Sequence, residues 1–368
     1  MEKNNRVVVG MSGGVDSTVA AYLLKEAGYD VIGVNMRLWQ DDYLEEAHFM
    51  KDGGCCSLSS VEDARRVCRE IGIPFYALDF KTVFKETVVD YFIDAYHKGL
   101  TPNPCIACNK FVKFEALLEK AHALGAYYVA TGHYAKIEQD KTTGRYVIRK
   151  ADSDKKDQTY ALYNLTQEQL AHILMPLGEM PSKDVVREIA SRFDVRISEK
   201  SDSQEICFVP DQDYVGFLKR NSDVPIVEGI FVDSEGEVLG AHKGIEYYTI
   251  GQRKGLGVTF GKPMYVIDID PNNNRVTLGE GDAVFEDTLY AGMLNWVSVA
   301  SVESGFKCQA KVRYSATPAD CTLYPEGNHV KVVFDKPQRA ITPGQAVVFY
   351  QGDLLVGGGT IERHLNHV

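Results

Sequence analysis

Residues 7–26 read VVVGMSGGVDSTVAAYLLKE: an apolar run, a glycine pair, then an amphipathic stretch. The valine run 7–9 does not alternate with polar residues, as expected of a strand buried on both faces. The following stretch has helical spacing, so the glycines join a strand to a helix. Gly13 and Gly14 permit positive φ and let the backbone approach a ligand closely. Successive N–H groups in such a turn, with those of the first helical turn, make a nest for an anion. Ser12 and Ser17 add hydroxyl donors, and Asp16 is a candidate ligand for Mg²⁺. The Walker pattern G-x-x-x-x-G-K-[ST] is absent, so this is not a standard γ-phosphate cradle. A plain tight turn with Ser or Asp as helix cap stands as the alternative.

The rest of the first half repeats this alternation. Strands are expected at 6–11, 31–38, 74–80 and 127–131, and helices at 17–27, 61–71, 83–98 and 111–124. Further helical patterns lie at 167–173 and 182–193. That order predicts an α/β domain, a parallel doubly wound sheet with ligands at the carboxyl ends of its strands. From residue 227 short alternating stretches punctuated by DSEGE, DPNNN, GEGD, PEGN and YQGD predict β structure. We divide the chain into residues 1–204, a small β-rich central domain at 205–284, and a C-terminal β-barrel at 285–368.

The chain has 368 residues, 45% of them hydrophobic and 25% charged, which suits a multidomain globular protein. It contains no apolar run long enough for a membrane span, and MEKNNR lacks the apolar core of a secretory signal. A cytoplasmic protein without a membrane partner is expected, monomeric by default. Its eight cysteines then read as thiols, metal ligands or redox groups. A net charge of −11 argues against generic coating of nucleic acid, DNA included, but leaves room for RNA on a local basic surface.

The second unusual stretch is TPNPCIACNKFVKF, residues 101–114. Two prolines predict an extended loop before Cys105 and Cys108, with a helix from about Asn109. A thiol at that helix start, near Lys110 and Lys113 in sequence, is expected to favour its thiolate. A third thiol, Cys207, lies in SDSQEICFVP. Cys55 and Cys56 in GGCCSLSS read as loop residues or as donors to a zinc site.

SGGVDS after a first strand resembles the loop of the PP-loop ATP pyrophosphatases, with their adenine nucleotide alpha hydrolase-like fold. The resemblance implies cleavage of ATP between its α- and β-phosphates, adenylation of a carbonyl oxygen and release of pyrophosphate. It also implies a nucleotide site of Gly10, Met11, Ser12, Gly13, Gly14, Val15, Asp16, Ser17, Met36 and Gly132.

TPNP and CNK, SxSQEICF, YVATGHYAKI, DSDKKDQTYAL, YYTIGQRKGLGV and KVRYSATPA together resemble the tRNA-specific 2-thiouridylases across essentially the whole chain. The resemblance implies a tRNA-uridine 2-sulfurtransferase. A persulfide on Cys207, loaded by a sulfur-donor protein, would deliver sulfur to the adenylated wobble uridine. Cys108 would be the partner thiol, closing a disulfide or releasing hydrosulfide. Asn103, Pro104 and Cys105 match the segment around the flipped target base. His133, Lys156, Asp157, Gln158, Arg313, Tyr314 and Gln345 match tRNA contacts. Gln252, Arg253 and Lys254 form a basic loop, read as an RNA or donor-protein contact.

Many members of the family carry Asp where this chain has Cys105. With Cys108 and Cys207, Cys105 makes a set of three thiolates able to hold an iron–sulfur cluster with one open iron. The persulfide route, the cluster route and a structural zinc site stand side by side at this point. So does a PP-loop enzyme that adenylates a small molecule.

Overall fold

The computed structural model describes residues 2–39, 58–200, 206–258 and 261–363. Cys55 and Cys56 lie outside the described residues. The chain forms two compact units. Met1–Val89, Cys105–Gln212 and Asp353–Leu355 make the first, and Asp90–Pro104, Asp213–Gly352 and Val356–Val368 the second.

The first unit contains β1 (Arg6–Gly10), β2 (Asp30–Arg37), β3 (Phe75–Asp79) and β4 (Tyr128–Ala130). A hairpin of β5 (Ala135–Gln139) and β6 (Tyr146–Lys150) follows, then β7 (Ile173–Leu174). The sheet runs β3-β2-β1-β4-β7 and every pairing in it is parallel. Val7, Val8 and Val9 are fully buried, as their unbroken run requires. Each is worth about 1.5–3 kcal/mol of burial. Val7 and Val9 join one core with α1 (Val15–Glu26), α2 (Leu58–Ile71) and α3 (Lys183–Ser191).

Strand order reverses at β1, whose neighbours are β2 on one side and β4 on the other. In such a sheet that reversal opens the crevice where ligands bind. The loop after β1 and Gly132 after β4 both sit there.

Two expectations need correction. The helix expected at 167–173 is one turn, Gln167–Leu170, closed by a capping box on Thr166. Ile173 and Leu174 instead pair with Val129 and Ala130 as the edge strand. The helix expected from Asn109 begins earlier, at Pro104–Ala107, because proline at a first helical position costs no hydrogen bond. It continues through Cys108–Ala116, wound as π-helix, into Leu117–Ala123.

In the second unit, β8 (Gly229–Val232), β9 (Val238–His242), β10 (Tyr265–Asp270) and β11 (Arg275–Gly279) form a sheet in the order β10-β11-β8-β9. The barrel comprises β12 (Phe285–Trp296), β13 (Phe306–Lys311), β14 (Ala319–Glu326), β15 (His329–Arg339), β16 (Ala346–Gln351) and β17 (Leu354–Ile361). They run β12-β15-β14-β13-β16-β17, and β12 pairs with β17 to close the ring. The first of these strands begins at Phe285. Among the described residues no helix is long and apolar enough to cross a membrane.

Candidate active site

The loop after β1 turns on Gly13, whose φ is +72°. A Cβ there would run into the Ser60 carbonyl at the start of α2, so only glycine fits. Gly14 is the N-cap of α1 and, among the described residues, no side-chain cap bond closes this helix start, whose first-turn N–H groups lack an intrahelical acceptor. Ser17 Oγ donates to the Gly14 carbonyl at 3.2 Å and lies 3.2 Å from Ser12 Oγ. Both hydroxyls thus border the nest.

Gly132 closes the other side. A Cβ on it would lie 2.7 Å from Asp16, so the β4 loop can pass α1 only as glycine. The half-buried Met36 lays its methyl group over Gly10, 3.5 Å from where a Cβ would sit. Gly10, Met11, Ser12, Gly13, Gly14, Val15, Asp16, Ser17, Met36 and Gly132 are thereby gathered at the strand ends around the crevice.

Seven residues that the sequence patterns do not single out complete this site. Lys183 Nζ donates to both Asp16 carboxylate oxygens at 2.7 Å, and Tyr134 Oη donates to Oδ1 at 2.8 Å. Lys200 Nζ donates to the Gly13 carbonyl at 3.1 Å and also pairs with Asp63. Asp63 pairs in turn with Arg66, which holds Asp194 at 2.8 Å. Burial opposes the charge on Asp194, but the Arg196 hydrogen bonds and the Arg66 charge outweigh it and hold the carboxyl below its usual range. Asn35, 1% exposed, donates Nδ2 to the Met11 carbonyl at 2.8 Å, while its Oδ1 has no hydrogen-bond partner among the described residues. The signals were weak: a lysine directly after a Ser182 cap, and an asparagine inside an apolar strand.

A Mg²⁺ at Asp16 would compete with Lys183 for both carboxylate oxygens. As arranged, these residues do not fit a cation there.

On the cysteine helix, Cys105 is exposed and falls in the first turn, while Cys108 is buried one turn further on. The helix start therefore lies at Cys105 and not at Cys108. Asn109 donates to the Ala161 carbonyl at 3.0 Å and Asn164 to that of Ile106 at 3.4 Å, tying this helix to the segment after Gln158. Cys207 is half-buried, and beside it the buried Phe208 packs edge-on against Phe84 at 5.6 Å. Among the described residues no disulfide joins Cys105, Cys108 or Cys207 to another cysteine. Among the described residues no three His, Cys, Asp or Glu side chains come together as metal ligands, so this structure does not assemble the three thiols as a cluster or zinc site.

The proposed RNA-facing residues are dispersed. Gln158 accepts from the Tyr134 N–H at 3.0 Å, linking its segment to the tyrosine that holds Asp16. Lys156 and Asp157 are half-buried beside it. His133 Nδ1 lies 2.7 Å from Thr131 Oγ1; burial, with the Lys113 charge adding, pushes its pKa well below the usual 6.5. In the second unit, Gln345 Nε2 donates to the carbonyl of Thr101 at 2.9 Å and to that of Pro102 at 3.4 Å. The Tyr91 hydroxyl bonds the backbone of Asn103. Asn103 and Pro104 close this loop, and Cys105 follows in the chain. Arg313 donates to the Arg339 carbonyl at 2.8 Å, and Tyr314 is half exposed with Lys311 over its ring. Arg253 and Lys254 are exposed, while Gln252 folds back onto Lys254 and Thr249.

Residues 5–211 match the family described as the tRNA methyl transferase HUP domain. Residues 216–280 match the tRNA methyl transferase PRC-barrel domain, and 286–361 the aminomethyltransferase beta-barrel domain. The chain is 60% identical over 366 residues to the tRNA-specific 2-thiouridylase MnmA of Clostridioides difficile strain 630, covering 99% of this chain and 100% of that one. It is 59% identical over 364 residues to the tRNA-specific 2-thiouridylase MnmA 1 of Thermoanaerobacter pseudethanolicus, covering 99% of each. With the tRNA-specific 2-thiouridylase MnmA of Clostridium acetobutylicum it shares 56% identity over 362 residues, covering 98% of this chain and 100% of that one.

Proposed function

The chain belongs to the tRNA-specific 2-thiouridylase family, and from that premise we propose that it exchanges the C2 oxygen of a tRNA wobble uridine for sulfur in an ATP-dependent reaction. The observation that carries the reading is the glycine-turned loop before the uncapped start of α1, in the same unit as Cys108 and Cys207.

A uridine C2 carbonyl is a poor electrophile until its oxygen becomes a leaving group. Attack of that oxygen on the α-phosphate of ATP forms a C–O–P linkage and releases pyrophosphate, the anion the nest suits. The terminal sulfur of a Cys207 persulfide then attacks C2, and the C–O bond breaks with AMP leaving. In one branch the Cys108 thiolate attacks the Cys207 sulfur, freeing 2-thiouridine and leaving a disulfide that a two-electron thiol reductant reopens. In the other, Cys108 reduces the persulfide and hydrosulfide is the attacking species. The clustered iron–sulfur alternative draws no support from the described residues.

On this reading residues 1–204 activate the base, residues 205–284 form the central domain, and residues 285–368 help hold tRNA. Asn103, Pro104 and Cys105 surround the extruded base. His133, Lys156, Asp157, Gln158, Arg313, Tyr314 and Gln345 contact the RNA or position what does. A persulfide-bearing protein supplies the sulfur.

The test is nucleoside mass spectrometry of unmodified tRNA incubated with the protein, ATP, Mg²⁺ and a persulfide donor. Thiolated uridine should appear, and should vanish without ATP or with Cys207→Ala. Thiolation that persists in either control contradicts the reading.

A further inference from the structure

The anion nest carries its own contradiction. Asp16 places a carboxylate in the first turn of α1, beside the N–H groups that would receive phosphate. An uncompensated charge there would repel a polyanion. The structure compensates it with Lys183. That ammonium is 11% exposed against 31% for Asp16, and it bonds both carboxylate oxygens at 2.7 Å. Tyr134 steadies the pair: its hydroxyl bonds Asp16, and its ring centroid lies 5.9 Å from Lys183 Nζ.

Lys183 also occupies the wrong end of its own helix. It is the first residue of α3, directly after the Ser182 cap. Cations are disfavoured there by the helix dipole. A residue that breaks a local rule while serving a neighbouring element is a mark of function. The loop SGGVDS itself carries no lysine.

We infer that Lys183 is the cation for the leaving pyrophosphate, delivered from α3 in place of a loop lysine, with Asp16 as its resting counter-ion. This deepens the ATP-dependent reading and rests on it. In the resting protein the pair is neutral, so the nest stays open to an anion. When phosphate arrives, the ammonium turns its donors from Asp16 to the anion, which competes with the carboxylate for them.

The experiment is calorimetric titration of the full chain with pyrophosphate, and separately with AMP, in EDTA buffer. Wild type, Lys183→Met and Asp16→Asn are compared. Lys183→Met should bind pyrophosphate at least about tenfold more weakly with AMP affinity unchanged, the pattern expected of one lost charged contact. Asp16→Asn removes a charge at nearly constant volume and leaves the ammonium, so pyrophosphate should bind several-fold more tightly. A purely structural salt bridge would instead weaken both ligands together in both variants, and that result overturns the inference. So does pyrophosphate binding that neither substitution alters. If Lys183→Met does not fold, the direction of change in Asp16→Asn decides. Wild-type protein that binds neither pyrophosphate nor ATP contradicts the ATP reading itself, a distinct outcome.

Discussion

Gln345 holds the loop that begins at Thr101: its side-chain N–H groups reach the Thr101 carbonyl at 2.9 Å and the Pro102 carbonyl at 3.4 Å. The Thr101 N–H answers by donating to the Pro343 carbonyl at 2.9 Å. Gly344, at φ +90°, leaves no room for a Cβ between these strands of chain. Gln345 therefore positions the residues assigned to the target base. Gln345→Ala should lower kcat about fivefold, for loss of roughly 1 kcal/mol of hydrogen bonding, with KM for tRNA changed less than about twofold. Steady-state kinetics checks this. A rise in KM alone marks a direct RNA contact instead.

Gly13→Ala should be the most damaging small substitution in the nucleotide loop. The added methyl meets the Ser60 carbonyl, and a left-handed φ costs an L-residue about 1–2 kcal/mol besides. Denaturant unfolding should show at least that loss, and ATP binding by calorimetry should fall below detection. Unaltered ATP affinity would remove the loop from the nucleotide site.

His133 gives the fold a pH dependence whose sign is fixed. Burial first, and Lys113 second, hold its folded pKa well below 6.5, so below pH 6.5 the unfolded chain binds the extra proton. Stability is full above that value and falls on acidification, by up to about 1.4 kcal/mol per pH unit. Urea unfolding at pH 7.5 and 5.5 should show the loss, and His133→Gln should reduce it. An equal slope in the variant assigns the effect elsewhere.

The thiols should separate by reactivity. Burial pushes Cys68 up to about 12. The hydrogen bond shared with Cys308, whose sulfur lies 3.6 Å away across the barrel strands, then burial, raises Cys321. Thiols held protonated are poor nucleophiles. Brief iodoacetamide treatment of native protein at pH 7.5, read by peptide mass spectrometry, should label Cys105 first and leave Cys68, Cys308 and Cys321 intact. Early labelling of those three contradicts the packing described.

Arg253 and Lys254 stand exposed on a loop turned by Gly251 and Gly255, both at positive φ. If they contact phosphates, replacing both with Ala should weaken tRNA binding and flatten the slope of log K against log salt by about 1–2. An unchanged slope removes them from the interface.

The sequence made legible whatever depends on local patterns. The buried strand 7–9, the glycine turn and the strands of the barrel are written in single stretches. What escaped depends on partners far along the chain. Lys183 lies 167 residues from Asp16, and neither residue is unusual alone. Pro104 read as part of an extended loop because proline both breaks helices and begins them; only the turn it opens tells which. Ile173 and Leu174 read as the end of a helix because a two-residue strand has no period to detect.

The central claim is that the uridine oxygen departs on AMP. The direct measurement uses tRNA carrying ¹⁸O at C2 of the wobble uridine, one turnover with ATP and a persulfide donor, and mass spectrometry of the released nucleotide. One ¹⁸O in AMP for each 2-thiouridine formed is the result expected. Thiolated tRNA with unlabelled AMP, or with the label in pyrophosphate, would contradict the account.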